Sequence, residues 1–239
     1  MSNTPRLSIV IPLKNEQDNV VPLIQEVQQA VEPLGTYEIL AIDDGSTDNT
    51  WNTLVELKKT IPALRCLKHD RNHGQSAGLW TGLKNAVGEI IITMDGDRQN
   101  DPNDIPQLLA ELEKGADVCL TYRANRQDSW SKKVQSKIGN KFRNSLLGSD
   151  IRDTGSQLRA FRADCIDNLP NFNGMHRFMG NLFLMGGFKL AQVPTHHRAR
   201  VAGVSNYSMA NRAFRGLKDV WGVRWLSQRA IRPKVAEEK

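Results

Sequence analysis

Long apolar runs are missing from this 239-residue chain. None approaches the ~20 residues that a spanning helix needs, so no transmembrane segment is expected. Cysteine is scarce: Cys66, Cys119 and Cys165 are odd in number, widely spaced and free of any CxxC pair. That excludes a disulfide framework or a zinc ribbon and leaves free thiols in a reducing cytosol as the expectation. The five histidines show no metal-binding spacing, and His196-His197 would point to opposite faces of a strand. No GxGxxG follows the first apolar run and no Walker lysine loop occurs, so neither a nicotinamide enzyme nor a P-loop hydrolase is favoured. The start, Met1-Ser2-Asn3-Thr4-Pro5, is polar and runs straight into an apolar segment, so no signal peptide is expected. The net charge of +6 invites a nucleic-acid reading, but no RNA-binding module or aromatic and Gly-rich motif accompanies it; nucleic acid is not an expected partner.

What is present is alternation. Leu7 to Pro12 reads as a strand and Asp18 to Val31 as a helix with Val20, Val21, Leu23, Ile24 and Val27 on one side. Tyr37 to Ile42, Ala63 to Lys68 and Glu89 to Met94 continue as strands, separated by helices over Thr47 to Lys59 and Gly74 to Ala86. This βαβαβαβ order predicts an α/β fold with a mostly parallel sheet and helices on both faces. Ala116 to Tyr122 reads as a further strand, flanked by helices at Pro106 to Lys114 and around Ile138 to Leu147. The polar, basic stretch from Arg126 to Ser136 is expected to be a loop that closes over the site.

Three strand ends empty into polar loops: Lys14-Asn15-Glu16, Asp43-Asp44-Gly45-Ser46 and Asp95-Gly96-Asp97-Arg98-Gln99. In a parallel sheet these converge on one edge, where open α/β sheets bind ligands. Asp43 and Glu16 are placed to accept hydrogen bonds from a base or ribose. Asp95 and Asp97 lie two residues apart on a turn that aims both at one hard cation. Two carboxylates leave most of the ~6 oxygen positions of Mg²⁺ open to diphosphate and water.

These stretches resemble family 2 glycosyltransferases with the Rossmann-like GT-A fold, and among them the dolichol-phosphate mannose synthase-like polyprenyl-phosphate sugar transferases. The resemblance runs through Ser8 to Glu16, Ile42 to Asp48, Gly74 to Leu79, Met94 to Pro102, Asp153 to Ser156, Leu158 to Arg162 and Arg200 to Ser205. It implies a sugar nucleotide, GDP-mannose or a UDP-sugar, bound by Pro12, Lys14, Glu16, Asp43, Asp44, Arg200 and Asn206. It implies Mg²⁺ or Mn²⁺ at Asp95, Asp97 and Gln99, and catalysis by Asp95, Asp97 and Arg123. The acceptor phosphate, on an undecaprenyl or dolichyl carrier, would meet Arg123, Lys137, Asp153 and Ser156. Asn206 stands where a lysine often holds phosphate, a charge that Arg98 or Arg198 would replace. An ionised lipid phosphate needs no general base, whereas a sugar-hydroxyl acceptor, the alternative, would make Asp153 the first candidate for one. A non-catalytic nucleotide- or membrane-binding adaptor is the remaining alternative.

The excess charge sits late in the chain. From Arg198 to Lys234 nine Lys or Arg face one acid, Asp219. At helical spacing Phe214, Leu217, Val220 and Trp221 share one side, with Arg212, Arg215, Lys218 and Arg229 largely opposite and Arg224 intruding. Residues 208–232 therefore read as a basic amphipathic helix, either lying on an anionic membrane surface or docked on the catalytic domain. The expected organisation is a GT-A domain over 1–207, with a nucleotide half to about 100 and an acceptor half beyond, then this helix, then a disordered tail over 233–239. The expected location is the cytoplasmic membrane face, with room for a membrane-protein partner. The Phe178, Leu182, Phe183, Leu184 and Met185 cluster reads as core packing rather than a lipid groove.

Overall fold

Alternation along the first strand decides which side of the sheet each residue serves. In β1 (Leu7–Leu13), Leu7, Ile9, Ile11 and Leu13 enter one core while Val10 enters the other. Residues on either side are fully buried, as a parallel sheet covered on both faces requires. The computed structural model describes residues 4–124, 130–167, 169–196, 198 and 209–230, with the backbone alone for 130–138 and 209–217.

The elements follow in the order β1, α1 (Gln17–Val31), β2 (Tyr37–Asp43), α2 (Thr50–Thr60), β3 (Leu64–Lys68), α3 (Gln75–Asn85), β4 (Ile90–Thr93) and α4 (Ile105–Glu113). They continue as β5 (Val118–Arg123), α5 (Trp130–Leu147), β6 (Arg159–Arg162), α6 (Met179–Gly186), β7 (Leu190–Thr195) and α7 (Met209–Arg229). The strands form one seven-stranded sheet in the order β3-β2-β1-β4-β6-β5-β7. All neighbours are parallel except β6, which runs antiparallel to both β4 and β5. The mostly parallel GT-A sheet expected from the alternation is therefore present.

Helices α1, α2 and α4 cover one face, their Val20, Leu23, Ile24, Val27, Leu54, Leu108 and Leu112 packed on the first core. Helices α3, α6 and α7 cover the other through Leu79, Leu83, Met179, Leu182, Phe183, Val220 and Val223. Each such side chain contributes about 1.5–3 kcal/mol by leaving water. Phe178, Leu182 and Phe183 are buried, as core packing predicts, while Leu184 reaches the surface.

Two expectations change. The stretch expected to be a loop to Ser136 is helical from Trp130 onward, because no glycine or proline interrupts residues 130–138. Residues 125–129 lie outside the described residues. In α7 the buried stripe runs through Val220 and Val223, and Trp221, grouped with Val220 by spacing, is 58% exposed beside Trp225 at 57%. Val223 follows Val220 by three residues and continues its face, whereas Trp221 is about 100° away. Phe214 and Leu217 fall outside the residues whose side chains are described, as does the 233–239 tail. Helix α7 packs against α5, and Arg224, which spacing left intruding on the apolar side, donates to the Leu146 carbonyl. Among the described residues no helix is long and apolar enough to cross a membrane.

Candidate active site

The parallel register places Leu13 beside Asp43 and Asp43 beside Lys68, so the loops after β1, β2 and β3 leave the same edge of the sheet. Thr93, the last residue of β4, pairs with Arg159, the first of antiparallel β6, and β5 ends nearby at Arg123. One edge thus collects five strand ends and one strand start.

Between the loops after β1 and β2, the Lys14 ammonium donates to the Gly45 carbonyl and ties the two together. Gly45 has φ +62°, and a side chain there would run into the Arg71 backbone, so this close turn requires glycine. Pro12 lies in β1, and Glu16, just before α1, accepts from Asn19 Nδ2 at 2.6 Å. Asp43 is fully buried: Oδ1 accepts the Ser46 N–H at 3.2 Å, and Oδ2 has no partner among the described residues. An orphaned carboxylate oxygen costs free energy unless a donor meets it, and a ribose hydroxyl or base N–H is such a donor. Asp44 is used differently. Its carboxylate takes the His69 ring at 2.7 Å and the His73 and Gly74 N–H groups at 2.8 and 2.7 Å, so it shapes the loop entering α3 instead of facing solvent.

The acidic turn is built against β1. A Cβ on Gly96 would press on Leu13 and the Pro12 carbonyl, which is why a glycine separates the two carboxylates. Asp97 is 7% exposed and takes the Gln99 N–H on Oδ1 at 3.2 Å; Asp95 is half-buried and takes Gln75 Nε2 at 2.7 Å. Among the described residues no group of three His, Cys, Asp or Glu gathers as a metal cage. Two carboxylates with the Gln99 amide make a hard, all-oxygen donor set. It suits Mg²⁺ or Mn²⁺ rather than zinc, and it is too small to saturate the ion without phosphate oxygens.

Arg98 and Arg198, the charges expected to stand in for the missing lysine, are engaged by carboxylates. Both bind Glu26 of α1, Arg198 at 2.6 Å, and Arg198 also reaches Asp101 at 2.8 Å while its N–H meets the Gln99 carbonyl at 3.0 Å. Burial alone would raise the Glu26 carboxyl, but the two guanidiniums hold it below its ordinary value. Arg200 and Asn206 lie outside the described residues, as does the Lys137 side chain.

At the end of β5, Arg123 forms a two-pronged pair with Asp153, Nε to Oδ2 at 2.6 Å and Nη2 to Oδ1 at 2.9 Å. Burial pushes the Asp153 carboxyl up, yet the Arg123 hydrogen bonds and charge and the Gly155 N–H hold it below the ordinary value. The Ser156 hydroxyl is buried against Thr121. Arg159, which the sequence reading did not single out, is 3% exposed and donates Nη2 to the Ser156 and His176 carbonyls, each at 2.9 Å. Burial pulls its guanidinium down to about 10, against the charges of Asp95 and Asp153. Gln75 and Glu26 were likewise missed. Gln75 lies within the Gly74 to Leu79 motif, whereas Glu26 is one more polar residue on the solvent side of a helix and carries no sequence signal.

The same fold recurs in solved structures of glucosyl-3-phosphoglycerate synthase from Mycobacterium tuberculosis. The complex with Mg²⁺ and uridine diphosphate is 20% identical with a TM-score of 0.67, the match covering 91% of this chain and 80% of that one. The complex with Mn²⁺, uridine diphosphate and phosphoglyceric acid is 19% identical with a TM-score of 0.68, covering 96% and 80%. The family model described as glycosyl transferase family 2 matches residues 8–169, a span that contains both carboxylates of the acidic turn and the Arg123–Asp153 pair. Loops, acidic turn and sheet agree with that match, and the chain belongs to glycosyl transferase family 2.

Proposed function

We propose that this glycosyltransferase moves a sugar from a nucleoside diphosphate, GDP-mannose or a UDP-sugar, to a polyprenyl phosphate, inverting the anomeric centre, at the cytoplasmic face of a membrane. The observation that carries this reading is the state of Asp153. A base that takes a proton from a sugar hydroxyl works best with a pKa near the operating pH. Asp153 is held below the ordinary carboxylate value and bound on both oxygens by Arg123, so it is a poor proton acceptor. A phosphate acceptor brings its own charge. Its oxygen bonds to the anomeric carbon from the face opposite the leaving group as the bond to the nucleoside diphosphate breaks, and no proton moves. A divalent ion held by Asp95, Asp97 and Gln99 would neutralise the departing diphosphate. Asp43 and Glu16 would orient the nucleoside, with Arg200 and Asn206 near the diphosphate. Arg123, Lys137 and Ser156 would orient the acceptor, positioning being the main task when two anions must meet.

The test is transfer of radiolabelled sugar from GDP- and UDP-sugars to undecaprenyl phosphate in detergent, with Mg²⁺ or Mn²⁺ and with EDTA. Label is expected in an acid-labile lipid and is expected to disappear with EDTA. Label only on a soluble acceptor such as phosphoglyceric acid, which the M. tuberculosis structure holds, would replace the lipid reading with hydroxyl transfer. Tight nucleotide binding with no label anywhere would point to a non-catalytic adaptor.

Helix α7 supplies the membrane contact in this reading. Val220 and Val223 hold it down, and the opposite side presents Trp221 and Trp225 flanked by Lys218 and Arg229, with Arg229 stacked 5.0 Å from the Trp225 ring. Indoles prefer the headgroup level, and each basic residue near anionic lipid adds ~1 kcal/mol. Replacing both Trp221 and Trp225 by Ser is expected to cut co-sedimentation with phosphatidylglycerol vesicles by about tenfold or more. Equal sedimentation of both proteins would remove α7 from the interface.

A further inference from the structure

Three arginines from separate elements gather around the 153–156 loop. Arg143 lies on α5, Arg159 opens β6, and Arg177 lies in the short turn before α6. They surround His176 and the 153–156 loop. Arg143 donates to Asn140 Oδ1 and Thr154 Oγ1 and sits 5.7 Å over the Phe178 ring. Arg159 holds the Ser156 and His176 carbonyls, and Arg177 pairs with Asp219 of α7 at 2.7 Å. Among the described residues Arg177 is the one member of the three that meets a carboxylate directly.

The group is short of acceptors. Arg143 Nε, Arg159 Nη1 and Arg177 Nε are each buried without a hydrogen-bond partner among the described residues. Burial and the neighbouring charge of Arg177 lower the Arg143 guanidinium, so the cluster repels itself. His176 adds no charge: burial, then Arg177 and Arg159, push it down to about 3, and its Nδ1 meets the Ser76 hydroxyl at 2.7 Å. Arg159 is buried and Arg143 half-buried, neither with a carboxylate in direct contact among the described residues, and guanidinium nitrogens left without an acceptor are costly unless an anion supplies one. Access lies at Arg177, whose side chain is 34% exposed. The adjoining Gly174, at φ +106°, lets the Arg177–Asp219 pair pack against its turn, since a Cβ there would come within 2.7 Å of Arg177 Nη2 and 3.0 Å of Asp219 Oδ2.

We propose that Arg143, Arg159 and Arg177 form an anion subsite for a phosphomonoester dianion, reached at Arg177 and separate from the Arg123–Asp153 pair. Planar guanidiniums match phosphate oxygens in number and geometry, and a dianion supplies the missing acceptors. Identifying that dianion with the head of the transferase's acceptor rests on the function proposed above; the subsite itself does not.

Isothermal titration with inorganic phosphate and with glycerol 3-phosphate, at fixed ionic strength in chloride, tests the subsite. Binding is expected in the native protein and in Asp97→Asn, and weakened on the order of tenfold in Arg143→Met and Arg177→Met. Asp219→Asn separates the subsite from a structural role, because it breaks the same ion pair as Arg177→Met but leaves the guanidinium. Tighter phosphate binding in Asp219→Asn is expected; a loss equal to that of Arg177→Met would overturn the proposal, as would unchanged binding in both arginine variants or none in the native protein. A second arm measures KM for polyprenyl phosphate. A rise in Arg143→Met with the donor KM unchanged assigns the subsite to the lipid headgroup, whereas phosphate binding in a protein that ignores the lipid keeps the subsite and discards the lipid acceptor.

Discussion

Asp97→Asn is expected to lower kcat/KM for sugar transfer by roughly three orders of magnitude while leaving the fold intact. The side chain is buried and its Oδ1 accepts the Gln99 N–H, a bond that an asparagine carbonyl reproduces. The substitution therefore removes charge without removing shape. With no third carboxylate nearby among the described residues, halving the formal charge of the donor set leaves little to hold a divalent ion under the diphosphate. Lewis-acid stabilisation of a leaving phosphate is worth several kcal/mol, and each 1.36 kcal/mol is tenfold in rate. Steady-state kinetics combined with Mn²⁺ titration by electron paramagnetic resonance, in the presence of nucleoside diphosphate, gives the comparison. A variant that binds Mn²⁺ as the native protein does and transfers within tenfold of its rate would take Asp97 out of the metal site.

The largest loss of stability is expected from Asp153→Ala. The pair it breaks is nearly buried, Arg123 at 16% and Asp153 at 8% side-chain exposure, and Asp153 also accepts the Gly155 N–H at 2.8 Å. Removing one partner of such a pair typically costs about 3–5 kcal/mol. Removing both is cheaper, so Arg123→Met with Asp153→Ala is expected to recover part of the loss in urea unfolding. The pH dependence follows from the direction of the shift. The folded Asp153 has a lowered pKa, so its contribution is complete above the ordinary value of 3.8 and is lost as pH falls below that towards the folded value. The gap between native and variant unfolding free energies should therefore hold from pH 7 to 5 and narrow below pH 4. A gap under about 1 kcal/mol at pH 7 would mean that the Arg123 side chain finds water or another acceptor when Asp153 is gone.

The fold was legible because its signal is periodic. β1 to β4 and the three helices between them alternate so regularly that their boundaries shift by a few residues at most between sequence and structure. Antiparallel β6 and edge strand β7 were not named, since Arg159 to Arg162 is four residues long and bounded by arginines, a pattern that four residues cannot distinguish from a turn. The acidic turn was legible for a chemical reason, a glycine between two carboxylates at a strand end. The arginine group was not, because Arg143, Arg159 and Arg177 come from three separate elements and only the folded chain brings them together. For Asp44 the residue was read correctly as part of a strand-end loop, but sequence cannot tell which way a carboxylate turns, and this one turns inward to His69, His73 and Gly74.

Strand β6 runs against its neighbours, and that reversal has an evolutionary reach. Arg123 closes β5 and Arg159 opens β6 at the same rim of the sheet. The connection between them therefore departs from and returns to one place, so residues can be inserted, deleted or exchanged within it without displacing either strand. The polar loops after β1, β2 and β4 lie outside that connection. Changes in that connection can thus alter what stands at this rim between two fixed posts, without moving the acidic turn after β4.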